Sequence, residues 1–127
     1  MSNRNRRSRL TRSAEFERVY RHGRSRANRY LVLYSFPRPE GDDDGRRLGL
    51  SVPRRVGGAV QRNQVKRLLR EAFWASSEGL ESGHDYVVVA RPEVAALADR
   101  DGLAGVRGAL HELLAGERTS RAAEGEP

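Results

Sequence analysis

Residues 62–71, Arg62-Asn63-Gln64-Val65-Lys66-Arg67-Leu68-Leu69-Arg70-Glu71, constrain the chain more than any other stretch. At about 100° per residue they form a helix with two separate faces. Val65, Leu68, Leu69, Ala72 and Phe73 fall on one apolar stripe, and Arg62, Asn63, Lys66, Arg67 and Arg70 fall opposite. The stripe has to be buried against a core. Whatever that core is, the other face then presents cations in a fixed array. A solvated helix ordinarily mixes Glu and Lys at i, i+4 spacing. Here Glu71 alone balances the array, at its far end. Cations at fixed spacing suit a polyanion whose charges repeat every few ångströms, and nucleic acid is the commonest such partner.

The charge distribution has the same asymmetry. Residues 1–30 carry ten Arg against two Glu, and residues 46–71 carry eight basic residues against one Glu. Residues 31–45 and 72–127 are net acidic, although the whole 127-residue chain is +7. Two basic blocks in an otherwise acidic chain predict a one-sided anion-binding surface. Lys66 is the only Lys. Codon bias in the source genome accounts for most of that deficit but not for the clustering. Arg can fork onto phosphate and stack on a base, where Lys acts as a point charge.

There is no Cys, which excludes disulfide frameworks and thiolate metal sites. No apolar run approaches the roughly 20 residues needed to span a bilayer. The basic N-terminus lacks the apolar segment of a secretory signal. The expected location is the cytoplasm, with no membrane partner.

The length fits one domain, expected over residues 1–115, with residues 1–9 a mobile basic arm and 116–127 a disordered tail. Phe16, Val19 and Tyr20 at i, i+3, i+4 predict a helix over 13–22, with Ser13 as N-cap and Gly23 as its stop. Alternation over 29–36 predicts a strand, with Tyr30, Val32, Tyr34 and Phe36 on one face and Leu31 and Leu33 on the other. A short extra strand can precede it. Residues 46–53 give another strand, paired with the first as an antiparallel hairpin around the loop at 40–45. The basic helix spans about 59–76. The run Tyr86-Val87-Val88-Val89-Ala90 predicts a strand buried on both faces. Leu103, Val106, Leu110, Leu113 and Leu114 define a last helix. The fold class is α+β: a small two-layer sandwich with a single, mostly antiparallel sheet, in the order α-β-β-β-α-β-α.

The segment from Leu48 through Val60, Leu48-Gly49-Leu50-Ser51-Val52-Pro53-Arg54-Arg55-Val56-Gly57-Gly58-Ala59-Val60, running into Arg62–Glu71, resembles the signature of the bacterial ribonuclease P protein subunit. Arg9-Leu10, Phe16, Tyr20, His22-Gly23, Asn28-Arg29, Leu31–Tyr34 and Asp85–Arg91 follow the same family's layout, so the resemblance spans roughly residues 6–115. It departs at Gln64, where the family's helix usually carries Arg. Gln64 still donates hydrogen bonds, but without charge.

The resemblance implies the accessory subunit of a ribonucleoprotein endonuclease that removes the 5′ leader from precursor transfer RNA. Catalysis would lie in the RNA, with magnesium held by that RNA and the substrate rather than by the protein. The implied partners are the catalytic RNA and precursor tRNA, with no DNA. It also implies a left-handed β-α-β crossover around the basic helix, against the common right-handed preference. Phe16, Tyr20 and Tyr34 would line the leader cleft beside Arg62 and Asn63. On spacing alone, these rings read first as core aromatics, the commoner fate of an aromatic at helical spacing. Arg54, Arg55, Gln64, Lys66, Arg67 and Arg70 would contact the catalytic RNA. Gly57-Gly58 permits close approach to phosphate, or is simply a flexible helix entry. The remaining alternative is a general RNA-binding or ribosome-associated protein with no part in tRNA processing.

Asp42-Asp43-Asp44 is a weak magnesium candidate, because three adjacent side chains do not converge on one ion without a special turn. His22, His84 and His111 lack metal-ligand spacing and read as structural or exposed. No nucleophile–base pair stands out, and no protein catalytic residue is expected.

Overall fold

The computed structural model describes residues 7–9, 13–37, 46–76 and 84–124. In chain order the elements are β1 (Arg7–Arg9), α1 (Ser13–His22), β2 (Arg24–Ala27), β3 (Leu31–Pro37), β4 (Arg46–Ser51), a 3₁₀ turn (Arg54–Val56), α2 (Ala59–Ser76), β5 (His84–Ala90) and α3 (Val94–Glu124). The chain is α+β, and α1 and α2 have the expected bounds. The Asp42–Asp44 magnesium candidate lies outside the described residues.

One sheet runs β1-β4-β5-β3-β2. Two junctions, β2/β3 and β3/β5, are antiparallel, and β1/β4 and β4/β5 are parallel. The expected hairpin between residues 29–36 and 46–53 is therefore not formed. Strand β5 lies between β3 and β4 and pairs with both. Sequence neighbours usually pair, but β5 is buried along nearly its whole length. Its apolar residues need a strand on each side and cover on each face. A parallel β4/β5 pair also requires a crossover, which α2 supplies.

The pleat sorts side chains onto two faces. On one, Leu31, Leu33, Leu48, Tyr86, Val88 and Ala90 meet Val65, Leu69 and Phe73 of α2 and Val106, Leu110 and Leu114 of α3, forming the main core. This sheet with α2 and α3 is the expected sandwich. On the opposite face lies the short α1, whose buried Val19 packs with Val87, Phe16, Tyr34, Phe36 and Val89. Tyr30 precedes β3 and packs against the main core rather than joining the Tyr34 face.

Two boundaries differ from expectation. Arg7–Arg9, within the stretch expected to be a mobile arm, forms an edge strand parallel to Arg46–Leu48. Edge pairing uses backbone groups, so an Arg-rich tripeptide can do it without an apolar pattern. The last helix continues to Glu124, beyond residue 115 where a disordered tail was expected. Glu117 anchors the start of the extension. Its carboxylate is buried, accepts a 2.9 Å hydrogen bond from Ser35 Oγ and lies 3.7 Å from Arg26 Nε. Helix α3 is broken once, at Gly102, whose backbone (φ 58°, ψ −142°) is rarely open to other residues.

Gly23 does close α1, but not through a left-handed backbone: among the described residues only Gly57 and Gly102 have positive φ. Gly23 N–H donates to Val19 O at 2.9 Å while its Cα lies hard against β3.

Candidate nucleic-acid interface

Helix α1 carries its apolar side chains onto the sheet face away from the main core, and three of the rings singled out from sequence meet there. The Phe16 and Tyr20 centroids are 6.3 Å apart, and Tyr20 packs edge-on against Tyr34 at 4.9 Å. None is fully buried: Phe16 and Tyr34 are half-buried and Tyr20 is 41% exposed. Burial raises the Tyr20 phenol pKa, its hydrogen bond with Ser51 works against that, and nearby Tyr34 adds to the rise. The phenol thus stays neutral at physiological pH and keeps its polar edge. Ser51 ends β4, and Pro53 leads into the turn bearing Arg54 and Arg55. The ring patch therefore reaches the strand end where the basic segment begins.

The α2 stripe behaves as its periodicity required. Val65, Leu68, Leu69, Ala72 and Phe73 are buried. On the other side Asn63, Gln64, Arg67 and Arg70 are exposed, while Arg62 and Lys66 are half-buried. Arg54 and Arg55 are also exposed. Among the described residues, none of Arg54, Arg55, Lys66, Arg67 and Arg70 is engaged in an ion pair. Arg62 differs: its Nε donates to Gly57 O at 3.1 Å, which closes the entry to α2. Its guanidinium is thus oriented from behind. A Cβ at Gly57 would strike the Gln61 side chain, whereas one at Gly58 would meet nothing within 4 Å. Of that pair, only Gly57 has a close neighbour, and it is the movable end of the Gln61 side chain.

Sequence reasoning missed a second polar cluster on the ring face. The register sets Phe36 opposite Asp85 and Arg47 beside it. Asp85 is fully buried and takes a forked pair of bonds from Arg47, Nε at 2.8 Å and Nη2 at 2.9 Å. Arg18 of α1 approaches the same carboxylate at 3.8 Å and lies over the Phe36 ring, 5.5 Å from its centroid. Arg18 was hidden among ten N-terminal arginines, and only its partners distinguish it. Val60 was also passed over; it stands 85% exposed in the first turn of α2, beside the basic residues.

His84 is buried and stacks on Tyr86 at 6.1 Å, and His111 is exposed. Among the described residues, no three His, Asp or Glu side chains converge as a metal site, and no helix is long and apolar enough to cross a membrane.

Known proteins share this fold. The family model described as Ribonuclease P matches residues 5–114. The ribonuclease P protein component of Bacillus pumilus is 44% identical over 85 residues, covering 67% of this chain and 70% of its own length. That of Shouchella clausii is 51% identical over 83 residues, covering 65% and 66%. The solved RNase P protein of Staphylococcus aureus superposes with a TM-score of 0.74 at 31% identity, over 87% of this chain and 94% of that one. The protein from Thermotoga maritima gives 0.70 at 32% identity, over 81% and 91%. The mixed sheet, its three helices and the matched 5–114 span together place this chain in the ribonuclease P protein family.

Proposed function

We propose that this protein is the RNA-binding subunit of a cytoplasmic ribonuclease P and assists removal of the 5′ leader from precursor tRNA. The observation that carries the reading is the line of contacting, solvent-reached rings on the sheet face opposite the main core, joined through Ser51 to the start of a basic segment. Single-stranded RNA is held by such ring platforms beside cations.

In this reading Tyr34, Tyr20 and Phe16 take bases of the leader, with Arg62 and Asn63 beside them. Arg54, Arg55, Gln64, Lys66, Arg67 and Arg70 meet the catalytic RNA. Gln64 contributes a neutral hydrogen bond where relatives usually have a cation. Arg62, braced on Gly57 O, is presented in one orientation rather than as a free tether. In this reading the protein binds and orients, and magnesium held by RNA and substrate, not by this chain, would polarise the scissile phosphate and activate a water.

Reconstitution tests this. The purified protein alone should leave precursor tRNA intact. Added to a bacterial ribonuclease P RNA at moderate magnesium, it should promote cutting at the leader junction. Cutting by RNA-free protein, or no effect on the RNA-catalysed reaction, would overturn the proposal.

Two substitutions separate the surfaces. Arg67→Ala should weaken binding to the catalytic RNA and reduce the log–log salt slope by about 0.7–0.9 for one lost phosphate contact. An unchanged slope removes Arg67 from the interface. Tyr34→Ala should weaken leader-bearing substrate by roughly 1–3 kcal/mol if a base stacks there. The binding of leaderless tRNA serves as the control, and an equal loss for it would refute the stacking role.

A further inference from the structure

We infer that the groove between α2 and α3 is a second nucleotide site, occupied by one unstacked nucleotide of the catalytic RNA. This rests on the proposal that α2 lies against that RNA. The groove holds about 610 Å³ and is lined by Arg70, Glu71, Trp74, Ala75, Leu103 and Arg107. That volume is within the roughly 300–1,000 Å³ usual for small-ligand sites. Its chemistry matches the base and the phosphate of a nucleotide. Trp74 is half-buried and offers an aromatic wall. It is fixed from beneath by an edge-on contact with fully buried Phe73, 4.9 Å between centroids at 85°. Arg70 and Arg107 supply guanidinium groups from the two helices, and Glu71 supplies an acceptor.

Three observations favour RNA as the occupant. Arg70 belongs both to the basic row of α2 and to the groove, so a strand following Lys66, Arg67 and Arg70 arrives at the groove mouth. Arg107 is exposed in the net-acidic C-terminal half, and among the described residues it has no ion-pair partner. A cation placed there without a protein counterion is available to a phosphate. Glu71 is exposed and, among the described residues, likewise forms no salt bridge, even with Arg67 or Arg70. A free carboxylate repels phosphate but accepts from the amino or imino edge of a base. It therefore directs the base, rather than the backbone, toward its side of the groove. A splayed-out base stacked on an aromatic side chain and read at its edge is the usual mode of RNA recognition outside helices.

Trp74 is the sole tryptophan, so its emission reports on this groove alone. The full-length protein would be titrated with a bacterial ribonuclease P RNA while tryptophan emission and filter retention are followed together. The expected result is quenching that saturates with retention. Arg107→Gln should then lower the log–log salt slope of binding by about 0.7–0.9. Circular dichroism would establish that the variant is folded, and because Arg107 is exposed, its fold should be unchanged. RNA retention with unaltered Trp74 emission, or an Arg107→Gln slope equal to that of the parent, would overturn the groove assignment while leaving the α2 interface standing. Absence of retention altogether would overturn both.

Discussion

Replacing Asp85 with Ala should destabilise the protein by roughly 3 kcal/mol, the low end of the cost of stripping one partner from a buried ion pair. The Asp85 side chain is wholly buried, and that of Arg47 is only 20% exposed. Without the carboxylate, the Arg47 guanidinium keeps its position beside β5 but loses its forked acceptor. Arg18 loses the anion that faces it at 3.8 Å. Asp85→Asn should not restore stability. It keeps the volume and one acceptor, but its NH2 sets a donor against the other Arg47 donor and the negative charge is lost. The double change Asp85→Leu with Arg47→Met should recover much of the loss, since an apolar pair replaces the two most buried charges and Arg18, 39% exposed, keeps access to water. Urea midpoints for the four proteins check this. An Asp85→Ala cost below about 0.5 kcal/mol, the range of ordinary surface changes, would show that the cluster contributes nothing beyond its geometry.

Gly23→Ala should cost about 2–3 kcal/mol, a typical overpacking penalty. A Cβ there would lie 2.5 Å from Ser35 O and closer still to Val19 O, and neither backbone atom can swing aside. Relief requires α1 to lift from β3. Because α1 carries Phe16 and Tyr20 onto Tyr34, the same variant should lose leader affinity in excess of its effect on leaderless tRNA. Gly58→Ala is the control. Its new methyl meets nothing within 4 Å, and stability should be unchanged. Thermal melting of both variants decides the matter: equal melting temperatures would refute the close approach.

Much of this was legible from local pattern. The 3.6-residue stripe in 62–73 and the alternation around Leu31–Phe36 depend only on neighbours along the chain, and their elements appear with little adjustment. What was hidden depends on partners distant in sequence. The antiparallel hairpin is the simplest joining of β3 to β4, and nothing between them indicates that β5 intervenes. Arg7–Arg9 has no apolar signature because its strand is made by backbone pairing at an edge. Glu117 reads as one more tail charge until Ser35 and Arg26 are seen against it. The rings were ambiguous between core and cleft for a related reason: Val19 and Tyr20 are adjacent on one helix, yet one is buried and the other 41% exposed. The groove at Trp74 needed two helices at once, and no single-segment pattern encodes it.

The central position of β5 has a consequence for how the chain is made. Its strand partners are complete by residue 51, but β5 itself begins at His84. While a ribosome is still adding the first 83 residues, β3 and β4 have no strand to join them, and the apolar stripe of α2 has no α3 to lie on. Folding must therefore wait for the last third of the chain to emerge, and a polypeptide terminated before Ala90 should be a ready target for proteases.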